Sequence, residues 1–158
     1  MKILSIDIET FSSVDLTKCG VYAYTRAEDF EILLLAYAFD DEPVEIIDLA
    51  SGERIPDKAI NALTNPNIIK SAFNANFERT CLAKHLNTPM PPEQWRCSMA
   101  HSLTLGLPAS LKEVARCLKL SQQKMDEGKA LIRYFSMPCR PTKANGGRTR
   151  NMPWDDWQ

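Results

Sequence analysis

No stretch of this chain comes near the roughly 18 uninterrupted apolar residues of a membrane-spanning helix. The N-terminus has neither a basic segment nor a small-residue cleavage site, so no export signal is legible and the chain reads as intracellular and cytoplasmic. Cysteine pairs are missing too. The five cysteines (Cys19, Cys81, Cys97, Cys117 and Cys139) are odd in number and scattered, and no C-x-x-C spacing suggests zinc or a redox couple. Most of them are expected to be buried small apolar residues. An excess of either charge is also lacking, since 19 Lys and Arg against 20 Asp and Glu leave a net charge of −1. That balance gives no global attraction to a polyanion, so binding of that kind must come from local patches and bound metal. No internal repeat or low-complexity tract stands out.

With 158 residues, 44% hydrophobic and 25% charged, the chain is long enough for one ordinary core and short for two, and a single domain is expected. Apolar runs and breakers divide it. Residues 2–8 read as a strand, and residues 32–39 as a second, apolar enough for burial on both faces. Asp40-Asp41-Glu42-Pro43 then forms a turn into a third strand, 44–49, which makes a hairpin. Pro56 opens a helix over 56–64, and Asn65-Pro66-Asn67 ends it. A fourth strand covers 68–73. From Ala75 to about Leu86, Phe77, Cys81, Leu82 and Leu86 recur at helical spacing. Beyond Pro89-Met90-Pro91-Pro92 the pattern is helical over 97–105, over 109–118 with Ser110 as N-cap, and over about 122–135. A mixed sheet followed by helices is an α/β layer fold. Residues 1–139 make up this domain, and residues 140–158 a Gly- and Pro-containing loop, flexible when alone, with Arg140, Lys143, Arg148 and Arg150 ahead of any acid.

Chemistry concentrates at two places. In Lys2-Ile3-Leu4-Ser5-Ile6-Asp7-Ile8-Glu9, two acids at i and i+2 close an apolar strand, so both carboxylates share one face. Two hard oxygen donors on one rigid strand suit Mg²⁺ or Mn²⁺, the ions whose pairs drive phosphodiester hydrolysis. The second place is Phe73-Asn74-Ala75-Asn76-Phe77-Glu78-Arg79, where a strand passes into a helix with Asn74 or Asn76 as its start. An acid in a first helical turn is favoured by the helix dipole and looks toward the C-terminal edge of the sheet, where open α/β sheets carry their sites.

The order Asp7-x-Glu9, hairpin, then Asn-x-x-Phe-acid at the head of a helix resembles the ribonuclease H-like DEDD exonuclease superfamily. More closely, Ile6-Asp7-Ile8-Glu9-Thr10, Asn76-Phe77-Glu78-Arg79-Thr80-Cys81-Leu82 and Lys143-Ala144-Asn145-Gly146-Gly147-Arg148-Thr149-Arg150 together resemble the proofreading domain of phage-type family A DNA polymerases. The resemblance covers nearly the whole chain. It implies a ribonuclease H-like mixed sheet flanked by helices, and 3′→5′ removal of nucleotides from single-stranded DNA ends with two Mg²⁺ or Mn²⁺ ions. Asp7 would bridge both ions and Glu9 would bind the one beside the nucleophile. Thr10 and Phe11 would lie against the terminal sugar and base, with Asn74 and Phe77 among the nucleic-acid contacts. Glu78 would take a position where the superfamily usually has Asp, one methylene shorter.

A larger departure lies downstream. The superfamily's third motif, Tyr-x-x-x-Asp or His-x-x-x-x-Asp on a late helix, is missing: Met90 follows His85, Gly106 follows His101 and Pro138 follows Tyr134 at the required spacings. Tyr37 to Asp41 fits only by number, and Asp155 and Asp156 have no Tyr or His correctly placed before them. The expectation is a domain lacking its last helix, binding ions weakly and degrading DNA slowly unless the polymerase part of a longer product completes it. The sheet face so uncovered would favour a homodimer. The basic loop offers Arg148 and Arg150 to a phosphate backbone, and Trp95, Trp154 and Trp157 are packing anchors before they are stacking platforms. A noncatalytic nucleic-acid-binding remnant of a phage-derived polymerase gene is the alternative reading.

Overall fold

The computed structural model describes residues 2–121 and 127–152. Its centre is β1 (Ile3–Phe11), in which Leu4, Ile6 and Ile8 are buried while Ser5, Asp7 and Glu9 face the other way, the alternation a strand imposes. Antiparallel to it runs β2 (Glu31–Phe39), and β3 (Glu45–Asp48) completes the expected hairpin. On the other side β4 (Ile69–Ala72) pairs with β1 in parallel and β5 (Trp95–Cys97) pairs in parallel with β4. The strand order is β3-β2-β1-β4-β5.

One face of this sheet is covered. Leu35, Tyr37 and Phe39 of β2 meet Ala59, Ala62 and Leu63 of α2 (Asp57–Thr64) and Cys81 and Leu82 of α3 (Ala75–His85) in a single core. Full burial of one such leucine contributes about 1.5–3 kcal/mol. The opposite face is more open: Leu34 is 37% exposed and Ile46 66%. The expectation that residues 32–39 are buried on both sides is therefore corrected. These strands are an antiparallel meander, which needs only one covered face, and Ala36 and Ala38 supply the apolar character on the other without filling a core.

Two elements lie outside the sequence reading. The first is α1 (Leu16–Tyr24), capped by Asp15, whose Oδ1 accepts from the Thr17 N–H at 2.9 Å. Gly20 at φ 75° kinks it, so no continuous 3.6-residue period runs through the segment. The second is β5, three residues long and too short to show a period. Strand β1 also extends beyond its acids to Phe11, which places Asp7 and Glu9 inside the strand rather than at its end.

The later helices are α4 (Ser98–Thr104), α5 (Leu111–Cys117) and α6 (Glu127–Phe135), with the start of the expected 122–135 helix lying outside the described residues. Ser110 does stand at the N-cap of α5, without a side-chain capping bond. Of the cysteines only Cys81 is buried; Cys97 and Cys139 are half-buried, Cys19 and Cys117 exposed, and all five are free. Burial of most was expected, but Cys19 and Cys117 sit on outward-facing positions of short helices. Trp95 is in the core. None of the described helices is long and apolar enough to cross a membrane.

Two polar devices fix the connections. Lys70, fully buried on β4, donates to the Asn65 carbonyl at 3.0 Å and to Gln94 Oε1 at 2.6 Å, joining the turn before β4 to the turn before β5. Its burial lowers the ammonium pKa. Further on, residues 139–149 form a closed turn around Asn145, whose Oδ1 accepts from the Thr142 and Gly147 N–H groups and whose Nδ2 donates to the Arg140 and Arg148 carbonyls. The Cys139 N–H closes it on Thr149 O at 2.8 Å. Gly146 and Gly147, at φ 69° and 78°, take the left-handed conformations the turn requires.

Leu82→Ala should cost about 2–5 kcal/mol in urea unfolding, because it empties a site inside the covered core, whereas Ile46→Ala should change stability by less than about 0.5 kcal/mol. Equal losses would mean that the open face is as tightly packed as the other.

Candidate active site

Asp7 and Glu9 project from the open face of β1, opposite Ala36 and Leu34 of β2. Beside them the sheet is deliberately incomplete. The parallel ladder between β1 and β4 ends at Ser5 and Ser71, two residues before Asp7, and β4 stops at Ala72. There the chain reverses through Asn74, whose φ of 74° is left-handed, a conformation Asn tolerates better than most residues. Helix α3 begins at once, and its first turn carries Glu78 into the gap left beside β1.

Glu78 is only 4% exposed, and its Oε2 has no hydrogen-bond partner. Burial pushes its pKa from an ordinary 4.5 up to about 8; its own backbone N–H opposes the rise and the negative charge of Asp7 adds to it. A buried carboxyl with an orphaned oxygen, next to a second acid, is an arrangement that a divalent cation would stabilise. One turn further on, burial and the charge of Glu78 push the Cys81 thiol up to about 12, so it acts as a small apolar core group. Among the described residues, no three His, Cys, Asp or Glu side chains come together as a complete cage. Asp155 and Asp156 lie outside the described residues.

The other anticipated site residues are distributed differently. The pairing with β2 slips between Glu9 and Thr10, where Leu33 is left without a partner, and Thr10 and Phe11 are both buried. The hydroxyls of Thr10 and Tyr24 share a hydrogen bond of 2.9 Å. Phe11 is covered by the Arg150 guanidinium, 4.2 Å from its ring centroid. Arg150 also pairs with Glu31, and Arg148 Nε donates to the Asn145 carbonyl at 2.9 Å, so both arginines are engaged within the protein. Asn74 is exposed and makes no side-chain cap, while Phe77 is half-buried with its ring 6.2 Å from that of Tyr24.

Sequence reasoning missed Tyr24, because the kink at Gly20 hid its helix. It also missed a groove of about 500 Å³ in which Glu9, Leu34 and Asp48 face Leu131, Ile132 and Phe135 of α6. The apolar residues of α6 at i, i+1 and i+4 were the available signal. Tyr37, the one tyrosine with an aspartate at the right numerical spacing, pairs with Ile6 on the covered side of the sheet, and its hydroxyl donates to Glu45 at 2.8 Å.

No protein-family model matches the chain. A curated protein named DNA polymerase, from Bacillus phage SP02, is 67% identical over 156 residues, which is 99% of this chain and 24% of the phage protein. The chain thus spans about a quarter of the length of the curated relative it matches. Among solved structures, a nuclease in its apo form superposes with a TM-score of 0.59 at 17% identity, over 81% of this chain and 56% of the other. NrnC of Brucella melitensis superposes with a TM-score of 0.57 bound to pGG, at 19% identity, and 0.55 with bound Mg²⁺, at 20% identity. These two cover 78% of this chain, and 56% and 57% of NrnC respectively. The fold is that of the ribonuclease H-like exonucleases.

Because Glu78 is held protonated in the folded state below about pH 8 while the unfolded chain releases that proton near 4.5, its contribution to stability is complete at low pH. It falls by about 1.4 kcal/mol per unit as pH rises between the two values. Glu78→Gln should therefore melt like the parent at pH 4–5 and clearly above it at pH 9, without added metal. Parallel melting curves at both pH values would show that Glu78 ionises without hindrance.

Proposed function

From a chain whose sequence matches about a quarter of a phage DNA polymerase and whose fold is that of the ribonuclease H-like exonucleases, we propose a metal-dependent 3′→5′ exonuclease-type domain. Its substrate is a single-stranded DNA 3′ end and its role is proofreading for a polymerase. The observation that carries this reading is the orphaned, buried Oε2 of Glu78 beside the charge of Asp7. Mg²⁺ or Mn²⁺ fits that donor set, since hard cations take carboxylate oxygens. Asp7, Glu9 and Glu78 would hold the metal. When bound, the ions lower the pKa of a water molecule and stabilise charge on the phosphoryl oxygens.

The chain's own residues do the rest. Asp7 and Glu9, fixed on a strand that β2 pairs along its length, keep their backbone spacing. Glu78, buried at the head of α3, would offer its carboxylate to a bound cation once its proton is released. Three carboxylates leave a two-ion site short of donors, so this chain alone should bind ions weakly and cut slowly. At the neighbouring turn around Asn145, Arg140 and Lys143 are exposed and suit a phosphate backbone, whereas Arg148 and Arg150 serve the fold.

Digestion of a labelled single-stranded DNA with Mg²⁺ or Mn²⁺ tests the reading. Slow shortening from the 3′ end that Asp7→Ala reduces at least about 100-fold supports it. DNA binding without any Asp7-dependent cutting would favour a noncatalytic binding module. For the turn, Arg140→Ala with Lys143→Ala should weaken DNA binding and flatten its salt dependence by up to about two units of slope. Arg150→Ala should instead lower the melting temperature, and an unchanged salt slope in the double variant would remove the turn from the interface.

A further inference from the structure

We infer that Tyr24 is a positioning residue that fixes the spacing between β1 and α3, the two elements carrying Glu9 and Glu78, and so sets the affinity of the site for a divalent ion. The inference rests on the proposed reading of that site as a metal centre. Tyr24 ends α1, in the connection between β1 and β2, and is 5% exposed. Its hydroxyl meets Thr10, the residue after Glu9, at 2.9 Å. Its ring lies 6.2 Å from that of Phe77, the residue before Glu78, and edge-on to Phe30 at 5.8 Å. One side chain therefore touches the immediate neighbour of an acid on each element.

The contact with Thr10 falls at the register slip, where β2 carries one residue, Leu33, without a partner on β1. By strand alternation Glu9 faces out where Thr10 faces in, and the shared hydroxyl bond fixes Thr10 on the inner side. A second tie runs from Ser12 Oγ to the Tyr24 carbonyl at 3.1 Å, so the end of the strand and the end of α1 are joined twice. Burial raises the Tyr24 pKa, which keeps the hydroxyl protonated at neutral pH. Both partners are uncharged, so deleting their bond changes no charge near the acids, and any effect on a cation must arise from geometry. Donor positions matter to within about half an ångström, and residues that orient metal ligands typically alter affinity 10- to 100-fold.

The test is Mn²⁺ affinity by titration calorimetry on the full chain, well below the melting temperature, with urea unfolding of each variant alongside. Tyr24→Phe keeps the ring and removes the hydroxyl; Thr10→Val removes the partner with little change in shape; Thr10→Ser keeps a hydroxyl. Tyr24→Phe and Thr10→Val should each weaken Mn²⁺ binding roughly 10-fold while remaining folded. The double variant should be no weaker than either single one, because one bond is lost in all three, and Thr10→Ser should bind like the parent. Parental affinity in Tyr24→Phe, when Asp7→Ala abolishes binding, overturns the inference alone. A parent chain that binds no Mn²⁺, or binds it equally well after Asp7→Ala, overturns the reading of the site and the inference with it.

Discussion

A carboxyl group shut away from water beside a second acid is the constraint around which the sheet edge is arranged. Leaving Glu78 buried with an unsatisfied oxygen is unfavourable for the fold by itself. The surrounding structure compensates with rigidity: β4 stops early, Asn74 reverses the chain in a left-handed conformation, and α3 starts where β1 has no parallel neighbour. Such strain is common where a protein holds groups ready for a ligand. Net charge plays no part in this. The chain is nearly neutral, and the field that matters is made by a few acids on β1 and α3.

Where the sequence carried a strong period, the fold was legible. The hairpin of β2 and β3, helix α2, strand β4 and helix α3 all lie within one or two residues of where the apolar pattern puts them. Placing Asp7 and Glu9 on one face required only that side chains alternate in a strand. What the pattern could not show was a break in itself. Alternation puts Thr10 with the buried Leu4, Ile6 and Ile8, but it puts Phe11 with the acids, and Phe11 is buried all the same beneath Arg150. In the same way Gly20 divides α1 into two single turns whose apolar residues no longer line up. Charge was the other blind spot. Arg148 and Arg150 look like phosphate ligands in a row of cations, but one closes its own turn and the other lies over Phe11, a use that only the tertiary contacts reveal.

The two faces of the sheet serve different ends. The covered face holds nearly all the buried apolar area and with it the stability; the open face holds the acids, flanked by Ala36, Ala38 and Leu34, with α6 along one border. Separating the two lets the acids be desolvated in part without disturbing the core. The buried tyrosine hydroxyl and the buried lysine are both tied to neutral partners.

Strand β1 joins partners that are very unequally distant along the chain. Its antiparallel neighbour follows after α1, while Ile3 meets Ile69 across most of the first half of the sequence. Closing that longer loop costs roughly 4 kcal/mol of chain entropy, against roughly 2.5 for the shorter one. The meander of β1, β2 and β3 is thus the cheaper structure to make, and it precedes β4 along the chain. Asp7 and Glu9 share a face as soon as it forms, yet Asp7 comes near Glu78 only after β4 has docked and α3 has followed it. Assembly of the site is consequently a late event in folding, and a nascent chain passes through a stage in which the acids of β1 stand on their strand before Glu78 has arrived beside them.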